Sequence, residues 1–326
     1  MKMKSSAMLV LLSAGLSAAA GVHAQTYPSK PIRVVVPFLT GGTPDIQIRM
    51  LAEKITPRIG QQFVVDNRAG ASGNIALEFV SRAPADGYTL IIGTVGNWTV
   101  NPHLFKLSYD VLRDFTPIIH VATAPAVLVV HPSMPVKSVK DLIALARQRP
   151  GELNFGSSGI GGFGHICAEL FSSMTKARMT HIPYRGVAIA MTELIGGQIQ
   201  LLFNSVVPTM PHVQSGRVRA IATTGAKRIA AMADVPTVAE AGVPGYENST
   251  WSLIAAPARL PQPILDRLNA EFNAALDMPD IREKLAAAGA AVTGGPPSYA
   301  AGVLKNDLAK YGKLVAEAGI KAANAQ

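Results

Sequence analysis

The chain has 326 residues, a formal net charge of +9 and 48% hydrophobic residues, which is enough apolar surface for two domains. Its single cysteine, Cys167, excludes an internal disulfide, and a helix-like setting favours a small buried side chain over a reactive thiol. Lysine and arginine are scattered without a basic stripe, which argues against a nucleic-acid partner and favours anionic small molecules.

Residues 1–24 have the pattern of a secretory signal. Lys2 and Lys4 precede a short apolar run, and the letters VHA form a small-residue cleavage site that ends at Ala24. The apolar run is too short to span a bilayer as a mature helix, and no later segment has the apolar length of a membrane span. We therefore expect a soluble mature protein that is exported to the periplasm.

Predicted strands and helices alternate through the rest of the chain. Runs rich in β-branched residues indicate buried strands, namely IRVVVPF, QFVVDN, YTLIIGT, AVLVVHP, ELNFGSS, IQLLFNS and RAIATTG. The remaining pattern predicts helices over residues 46–59, 138–149, 165–175 and 187–195, and another from Ile264. This alternation predicts an α/β fold with mainly parallel sheets.

Two glycine-rich segments, VVVPFLTGGTPD at 34–45 and LNFGSSGIGGFGH at 153–165, each join a predicted strand to a predicted helix. Glycine allows the backbone to approach a ligand, and the first N–H groups of a helix have no partner within it, so such a loop favours an anion. Two such loops facing each other would hold a small anion or both ends of a dicarboxylate. Alternatively, both are tight turns of the kind common in α/β proteins.

The second glycine segment also fits G-x-G-x-x-G through Gly159, Gly161 and Gly164. A dinucleotide site needs an acidic residue about twenty positions later, and the corresponding letters MTHIPYRG contain none. A nucleophile elbow, a phosphate loop and a metal-ligand spacing are also missing from the sequence. We therefore predict no enzymatic activity, no cofactor and no bound metal.

Six segments together resemble the Bug family of bacterial solute-binding proteins, which serve tripartite tricarboxylate transporters. The segments are YPSKPIRVVVPFLTGGTPD, VVDNRAGASGNIALEFVSRAPADGYTL, LNFGSSGIGGFGH, HIPYRG, DVPTVAEAGVPGYE and KLAAAGA. They occur in the family's order and cover essentially the whole mature chain, which makes the resemblance far more specific than any single glycine motif.

The resemblance implies a type II periplasmic-binding-protein fold, with two α/β domains around a ligand cleft joined by two crossover strands. It implies crossings near residues 122–126 and 251–257. Domain 1 would then contain residues 25–123 plus 252–326, and domain 2 residues 124–251.

The resemblance also implies a function. A monomer would capture a small carboxylate by cleft closure, without chemistry, and present it to the membrane subunits of a transporter. Family ligands include dicarboxylates, tricarboxylates, acidic amino acids and aromatic acids. A sensory adaptor that reports ligand occupancy to a membrane histidine kinase uses the same fold, and it stands as the alternative.

Residues at the family's motif positions form the candidate ligand site. They are Phe38, Thr40, Gly41, Gly42, Asp45, Asn97, Trp98, Ser157, Ser158, Gly161, Gly162, Phe163, His165, Tyr184, Arg185 and Asn204. Three of them have plain structural alternatives. Asp45 is also a favourable acid for a first helical turn, Trp98 could belong to the core, and Arg185 could be a solvated surface charge.

Departures from the family pattern concern specificity. Thr40 stands where the family usually has proline, and its hydroxyl could donate to a carboxylate; Pro44 suits the first turn of a helix. Asn204 replaces an acid that is common in relatives, which should disfavour ligands bearing an amino group. Trp98 and Phe163 could stack on an aromatic ligand. Tight binding of an acidic amino acid, with aromatic acids ignored, would contradict both hypotheses.

Overall fold

The computed structural model describes residues 27–184, 186–317 and 319–320, so the predicted signal and Arg185 lie outside the described residues. The strands, in chain order, are β1 (Ile32–Val36), β2 (Phe63–Asn67), β3 (Thr89–Thr94), β4 (Phe115–Val130), β5 (Asn154–Ser157), β6 (Thr180–Pro183), β7 (Leu201–Ser205), β8 (Arg219–Thr223), β9 (Ser249–Pro257) and β10 (Ala291–Val292). The α-helices are α1 (Thr43–Ile59), α2 (Asn74–Ser81), α3 (Asn101–Leu104), α4 (Val139–Gln148), α5 (Phe163–Thr175), α6 (Val187–Ile195), α7 (Val206–Gln214), α8 (Gln262–Leu276), α9 (Pro279–Ala287) and α10 (Pro297–Glu317). Short 3₁₀ turns cover Ala71–Gly73 and Ala230–Met232, and a π-helical turn covers Gly96–Val100.

Two groups of parallel strands form the outer parts of the sheet. β1 lies between β2 and β3 and runs parallel to both, whereas β5 lies between β6 and β7 and runs parallel to both. Four of the five residues of β1 are buried, which agrees with its continuous apolar sequence because a parallel strand is covered on both faces.

The 16-residue strand β4 connects the two groups. It pairs with β9 from Phe115 to Pro125 and with β7 and β8 from Ala126 to Val130, antiparallel throughout. Strands β1–β3, β9 and β10 with their helices form lobe one, and β5–β8 with theirs form lobe two. This confirms the two-lobed α/β architecture, while the exact division into residues 25–123 plus 252–326 and 124–251 stays a prediction.

The expectation of mainly parallel sheets is wrong at the centre of the molecule. β9 pairs antiparallel with both β3 and β4, so antiparallel strands occupy the middle of the sheet. The apolar runs indicated buried strands correctly, but strand direction depends on where the chain re-enters a sheet, and β9 returns to lobe one after the whole of lobe two.

Each lobe has an apolar core, and a further cluster joins the lobes. Lobe one packs α1 and α8 on its sheet, and lobe two contains the buried aromatic residues Phe155, Phe171 and Phe203. The joining cluster includes Ile166 of α5 together with Leu304 of α10. Helix α5 of lobe two therefore contributes to a cluster that is formed mostly by lobe-one residues.

Cys167 is buried, as the sequence predicts, and its thiol lies 3.4 Å from the Asn248 amide nitrogen. Burial is the main cause that raises the pKa of this thiol far above its ordinary value, so the cysteine is an inert core residue. Among the described residues, no helix combines the length and the apolar character needed to cross a membrane.

Candidate functional site

Asp45 stabilises the first loop, residues 37–42, which joins β1 to α1. Its carboxylate accepts hydrogen bonds from the Gly41 N–H (2.9 Å), Arg49 Nε (3.0 Å) and Asn67 Nδ2 (3.0 Å). Burial alone would raise the pKa of Asp45, but hydrogen bonds from Arg49, Gly41 and Asn67 outweigh burial and lower the pKa below its ordinary value. The buried carboxylate faces the loop, so this geometry does not support a direct contact with a ligand.

The side chain of Asp45 does not cap the N-terminus of α1. Gly42 is the N-cap in an extended conformation, and no side chain caps the helix. The neighbouring Thr40, Gly41 and Thr43 are exposed, while Phe38 is half-buried against the lobe-one core. The first loop therefore presents backbone N–H groups and the Thr40 hydroxyl, the donor types that suit an anion.

The second loop, residues 158–162, joins β5 to α5 in a similar way. Gly159 and Gly161 have φ values of +121° and +76°, which only glycine adopts readily. Gly162 is an extended N-cap without a side-chain cap, as Gly42 is in the first loop. Ser158 is exposed at the surface of this loop.

Two predicted contact residues of the second segment lie beneath the loop. Ser157 is 1% exposed; its Oγ accepts the Gly159 N–H at 3.1 Å and lies 2.9 Å from the Gly159 carbonyl oxygen. His165 is 5% exposed, and its Nδ1 accepts the Gly161 N–H at 3.1 Å. Both side chains hold the loop in shape, so their predicted contact with a ligand is not supported here. His181, whose Nε2 lies 2.6 Å from Ser157 Oγ, was not predicted from the sequence as part of the site.

The second loop reaches across to lobe one. A Cβ atom on Gly161 would lie 3.0 Å from Leu104 Cδ1 and 3.3 Å from Asn101 Oδ1, and one on Gly96 would lie 3.1 Å from the Gly161 carbonyl oxygen. The two backbones at Gly96 and Gly161 are therefore close together, and the segment 96–104 forms a floor at which the lobes meet.

A third loop, residues 68–73, contacts the same floor and was missed from the sequence as a candidate site. Its Ser72 carbonyl oxygen accepts hydrogen bonds from Asn97 Nδ2 (2.8 Å) and Asn101 Nδ2 (2.9 Å). Ala71 and Ser72 both have positive φ angles, 45° and 55°, a strained backbone that often marks a functional site. The sequence RAGASGN, which again lies between a strand and a helix, could have indicated this third loop.

Asn97 and Trp98 both point into the protein. Asn97 is buried, and its Oδ1 accepts the Thr94 N–H at 3.2 Å. Trp98 has no exposed surface, packs edge-on against Phe115 at a ring distance of 5.0 Å, and covers Gly93. Stacking of Trp98 on a ligand is not supported by this conformation, because its ring is buried in the joining cluster.

Three other predicted residues lie on lobe two. Tyr184 is half-buried beside the second loop, and its N–H donates to the Ser157 carbonyl oxygen at 3.0 Å. Asn204 is buried, donates to Thr209 Oγ1 at 2.9 Å and accepts the Ser205 N–H at 2.8 Å, so its side chain supports the start of α7. Phe163 is half-buried and packs against the joining cluster and the lobe-two core.

The electrostatics of these loops suit an anion. Asp45 is the carboxylate among the described candidate residues, and it is paired with Arg49 at 2.9 Å. The donors that remain are backbone N–H groups at the starts of α1 and α5, where the helix dipole favours negative charge. Among the described residues, no group of three or more histidine, cysteine, aspartate or glutamate side chains could hold a metal ion.

Comparison with known proteins identifies the family. Residues 47–320 match the family described as "Tripartite tricarboxylate transporter family receptor". The protein BugT of Bordetella pertussis is 35% identical over 315 residues, which cover 96% of each chain.

Two solved structures with bound ligands are also similar. R. palustris Rpa4515 with adipate is 41% identical with a TM-score of 0.86, covering 90% of this chain and 99% of the other. MatC (Rpa3494) from Rhodopseudomonas palustris with bound malate is 30% identical with a TM-score of 0.82, covering 89% and 100%. These are ligand-binding receptors, which confirms the prediction that the chain is not an enzyme. The chain belongs to the tripartite tricarboxylate transporter family of receptors, and it is a solute-binding protein of the Bug type.

Proposed function

We propose that this protein binds a small aliphatic dicarboxylate in the periplasm and presents it to the membrane subunits of a tripartite tricarboxylate transporter. The observation that carries the proposal is the pair of uncapped helix starts, α1 on lobe one and α5 on lobe two. Each offers N–H donors to one carboxylate, so a ligand with two acidic ends would connect the lobes. The adipate and malate bound by the two similar proteins are of this class.

Binding acts through closure of the cleft rather than through a reaction. A ligand that contacts both lobes has higher affinity for the closed arrangement and shifts the population toward it. Asp45, the carboxylate among the described candidate residues, is already paired with Arg49 and is not free to pair with an amino group. We therefore expect malate, succinate and adipate to bind more tightly than aspartate or glutamate.

A ligand panel tests the class of ligand. Thermal unfolding of the purified mature protein is compared with adipate, malate, benzoate, aspartate and the diamide of adipic acid, followed by calorimetry on each compound that raises Tm. A ligand present at a hundred times its Kd adds about 2.7 kcal/mol of stability. Binding of the diamide as tightly as the diacid would contradict the proposal.

A matched pair of variants tests the helix start. Thr43→Pro removes one N–H at the first position of α1, where proline is compatible with helix geometry. Gln262→Pro makes the same change at the first position of α8, where a proline also follows. Loss of a hydrogen bond to a charged group should raise the Kd of the dicarboxylate at least about tenfold in Thr43→Pro. Equal Kd values in the two variants would place the ligand elsewhere.

The remaining parts of the proposal have direct tests. Deletion of the gene should abolish uptake of the bound dicarboxylate, and the mature protein should be recovered from the periplasm. Uptake that persists while a transcriptional response to the ligand is lost would favour the sensory adaptor. Size-exclusion chromatography with light scattering checks the proposed monomer.

A further inference from the structure

Gly96 lies where the floor of lobe one meets the second loop of lobe two. A Cβ atom at this position would lie 3.1 Å from the Gly161 carbonyl oxygen, and among the described residues outside its own helical turn it would meet no other atom within 4 Å. Gly96 is buried, and its φ angle lies outside the left-handed region, so the backbone there is compatible with other residues. The missing side chain at position 96 therefore matters for the approach of the second loop rather than for the backbone of the floor.

The second loop contacts the floor through Gly161. A Cβ atom on Gly161 would lie 3.0 Å from Leu104 Cδ1, 3.3 Å from Asn101 Oδ1 and 3.5 Å from Val100 Cγ1, and these three residues all belong to the floor. Backbone of lobe two therefore lies directly on lobe one, and no side chain separates the two segments at Gly96.

The floor and the first loop begin at the same edge of the lobe-one sheet. β1 and β3 are parallel neighbours; the first loop follows β1, and the floor follows β3. The second loop follows β5 and leads into α5 of lobe two. Because the floor has a fixed place relative to α1, the point at which the second loop meets the floor sets the distance between the starts of α1 and α5.

Hydrogen bonds and packing fix the floor to lobe one. Asn97 Nδ2 and Asn101 Nδ2 donate to the Ser72 carbonyl oxygen at 2.8 Å and 2.9 Å. Trp98, which has no exposed surface, anchors the same turn in the joining cluster. A side chain added at Gly96 would therefore displace the second loop, whose lobe is connected to lobe one by strands, more readily than the floor.

We propose that Gly96 is a specificity-determining residue whose missing side chain sets how closely the starts of α1 and α5 approach, and hence the length of the dicarboxylate that connects them. This inference rests on the proposed function. A short diacid reaches both helix starts only when the second loop lies against Gly96, whereas a longer diacid can connect them when the loops are held apart. Gly96 thus selects ligand length through a contact between the lobes.

The test measures Kd by calorimetry for the straight-chain diacids succinate, glutarate, adipate and pimelate. The readout is the ratio of the Kd for succinate to the Kd for pimelate within each protein, because a general loss of affinity or stability cancels in that ratio. Gly96→Leu should raise the ratio at least about tenfold over the wild type, since a short diacid loses a hydrogen bond between one carboxylate and its helix start. Gly96→Ala, which requires a smaller displacement, should raise the ratio about twofold.

Gly302→Leu and Gly302→Ala are the matched controls. Gly302 also lies in a helix of lobe one, α10, and a Cβ atom there would meet no atom of the described residues within 4 Å. Both control variants should keep the wild-type ratio. Thermal unfolding shows whether each variant is folded, and if Gly96→Leu does not fold, the ratio in Gly96→Ala still tests the inference.

A distance measurement tests the displacement of the lobes with and without a diacid. Spin labels at Ala270→Cys on α8 and Ala144→Cys on α4, both exposed positions, report the separation of the two lobes by pulsed electron paramagnetic resonance. Cys167 is buried and should stay unlabelled. Gly96→Leu should lengthen the shortest distance between the labels, and Gly302→Leu should leave it unchanged.

Two different failures can be distinguished. If the wild type binds diacids but the Kd ratio or the distance between the labels is unchanged in the Gly96 variants, the inference is overturned and the proposed function is not. Absence of binding by every diacid in the series would overturn the proposed function, and the inference about ligand length would fail with it.

Discussion

The first and second loops have the same form and different support. Both follow a strand, both end in an extended glycine N-cap, and both lead into a helix without a side-chain cap. Asp45, an acid four residues beyond Gly41, holds the first loop; His165, an imidazole four residues beyond Gly161, holds the second. The two acceptors occupy equivalent places.

This difference teaches that one backbone geometry can be stabilised by an ionised carboxylate or by an imidazole ring. Asp45 is paired with Arg49 and Asn67, so the charge that it brings close to the site is balanced. His165 accepts the Gly161 N–H through Nδ1 of its imidazole, so it adds no carboxylate to the second loop.

The largest expected effect on stability comes from the close packing of α5 on β7. Gly164→Ala would place a Cβ against the Phe203 carbonyl oxygen of β7, whereas the equivalent position of α1 is occupied by Pro44. We expect the free energy of unfolding to fall by about 2–4 kcal/mol, since backbone must move. Gly302→Ala in α10 meets no atom within 4 Å and should be neutral or slightly stabilising. Urea unfolding measures the free energy of unfolding of both variants. Equal values for Gly164→Ala and Gly302→Ala would contradict the close packing of α5 on β7.

The next effect tests the charged support of the first loop. Asp45→Asn leaves three donors with a weaker acceptor and should reduce the free energy of unfolding by about 2 kcal/mol. Asp277→Asn, which breaks an exposed pair with Arg282, should change stability by less than about 0.5 kcal/mol.

The pH dependence of the Asp45→Asn effect has a defined sign. The pKa of Asp45 is lower in the folded protein, so its stabilisation is fully present above the ordinary aspartate pKa of about 4 and is lost as the pH falls through the folded value. The variant should therefore match the wild type in strong acid and differ most at neutral pH. A constant difference measured by urea unfolding across this range would show that the charge is not responsible.

A smaller effect is expected from the hydroxyls near the two loops. Ser157→Ala removes the oxygen that contacts both Gly159 and His181, and it should reduce the free energy of unfolding by about 1 kcal/mol. Thr40→Ala, on the exposed first loop, should change stability by less than about 0.5 kcal/mol and act on ligand affinity instead. Thermal unfolding measures the stability of both variants, and calorimetry measures their ligand affinity. A large stability change in Thr40→Ala would contradict a role of Thr40 in binding alone.

The smallest effect compares the two N-caps themselves. A Cβ on Gly162 would lie 2.8 Å from Ser158 Oγ and 3.0 Å from the Gly159 carbonyl oxygen, whereas one on Gly42 meets its nearest atom at 3.5 Å. Alanine is a poor N-cap in both places, so only the difference is informative. Gly162→Ala should be less stable than Gly42→Ala by about 0.5 kcal/mol, and the reverse order in thermal unfolding would indicate that the second loop has room to adjust.

Much of this protein was determined by local sequence. Period and composition predicted seven strands and five helices that the structure contains, because apolar periodicity reports which face of an element is buried. The glycine segments located the first and second loops, since positive φ angles at Gly41, Gly159 and Gly161 require glycine there. The order of the family motifs identified the family.

Only the tertiary structure decided where the polar and aromatic side chains point. The sequence could not pair Ser157 with His181, which is 24 positions away and becomes its neighbour through the parallel pairing of β5 and β6. Nor could it place Trp98 in the core, or turn Asp45 and His165 inward. These orientations depend on contacts between segments that are distant in sequence, whereas apolar period and composition reflect only local preference. The loops were therefore predictable from the sequence, and the side chains that stabilise them were not.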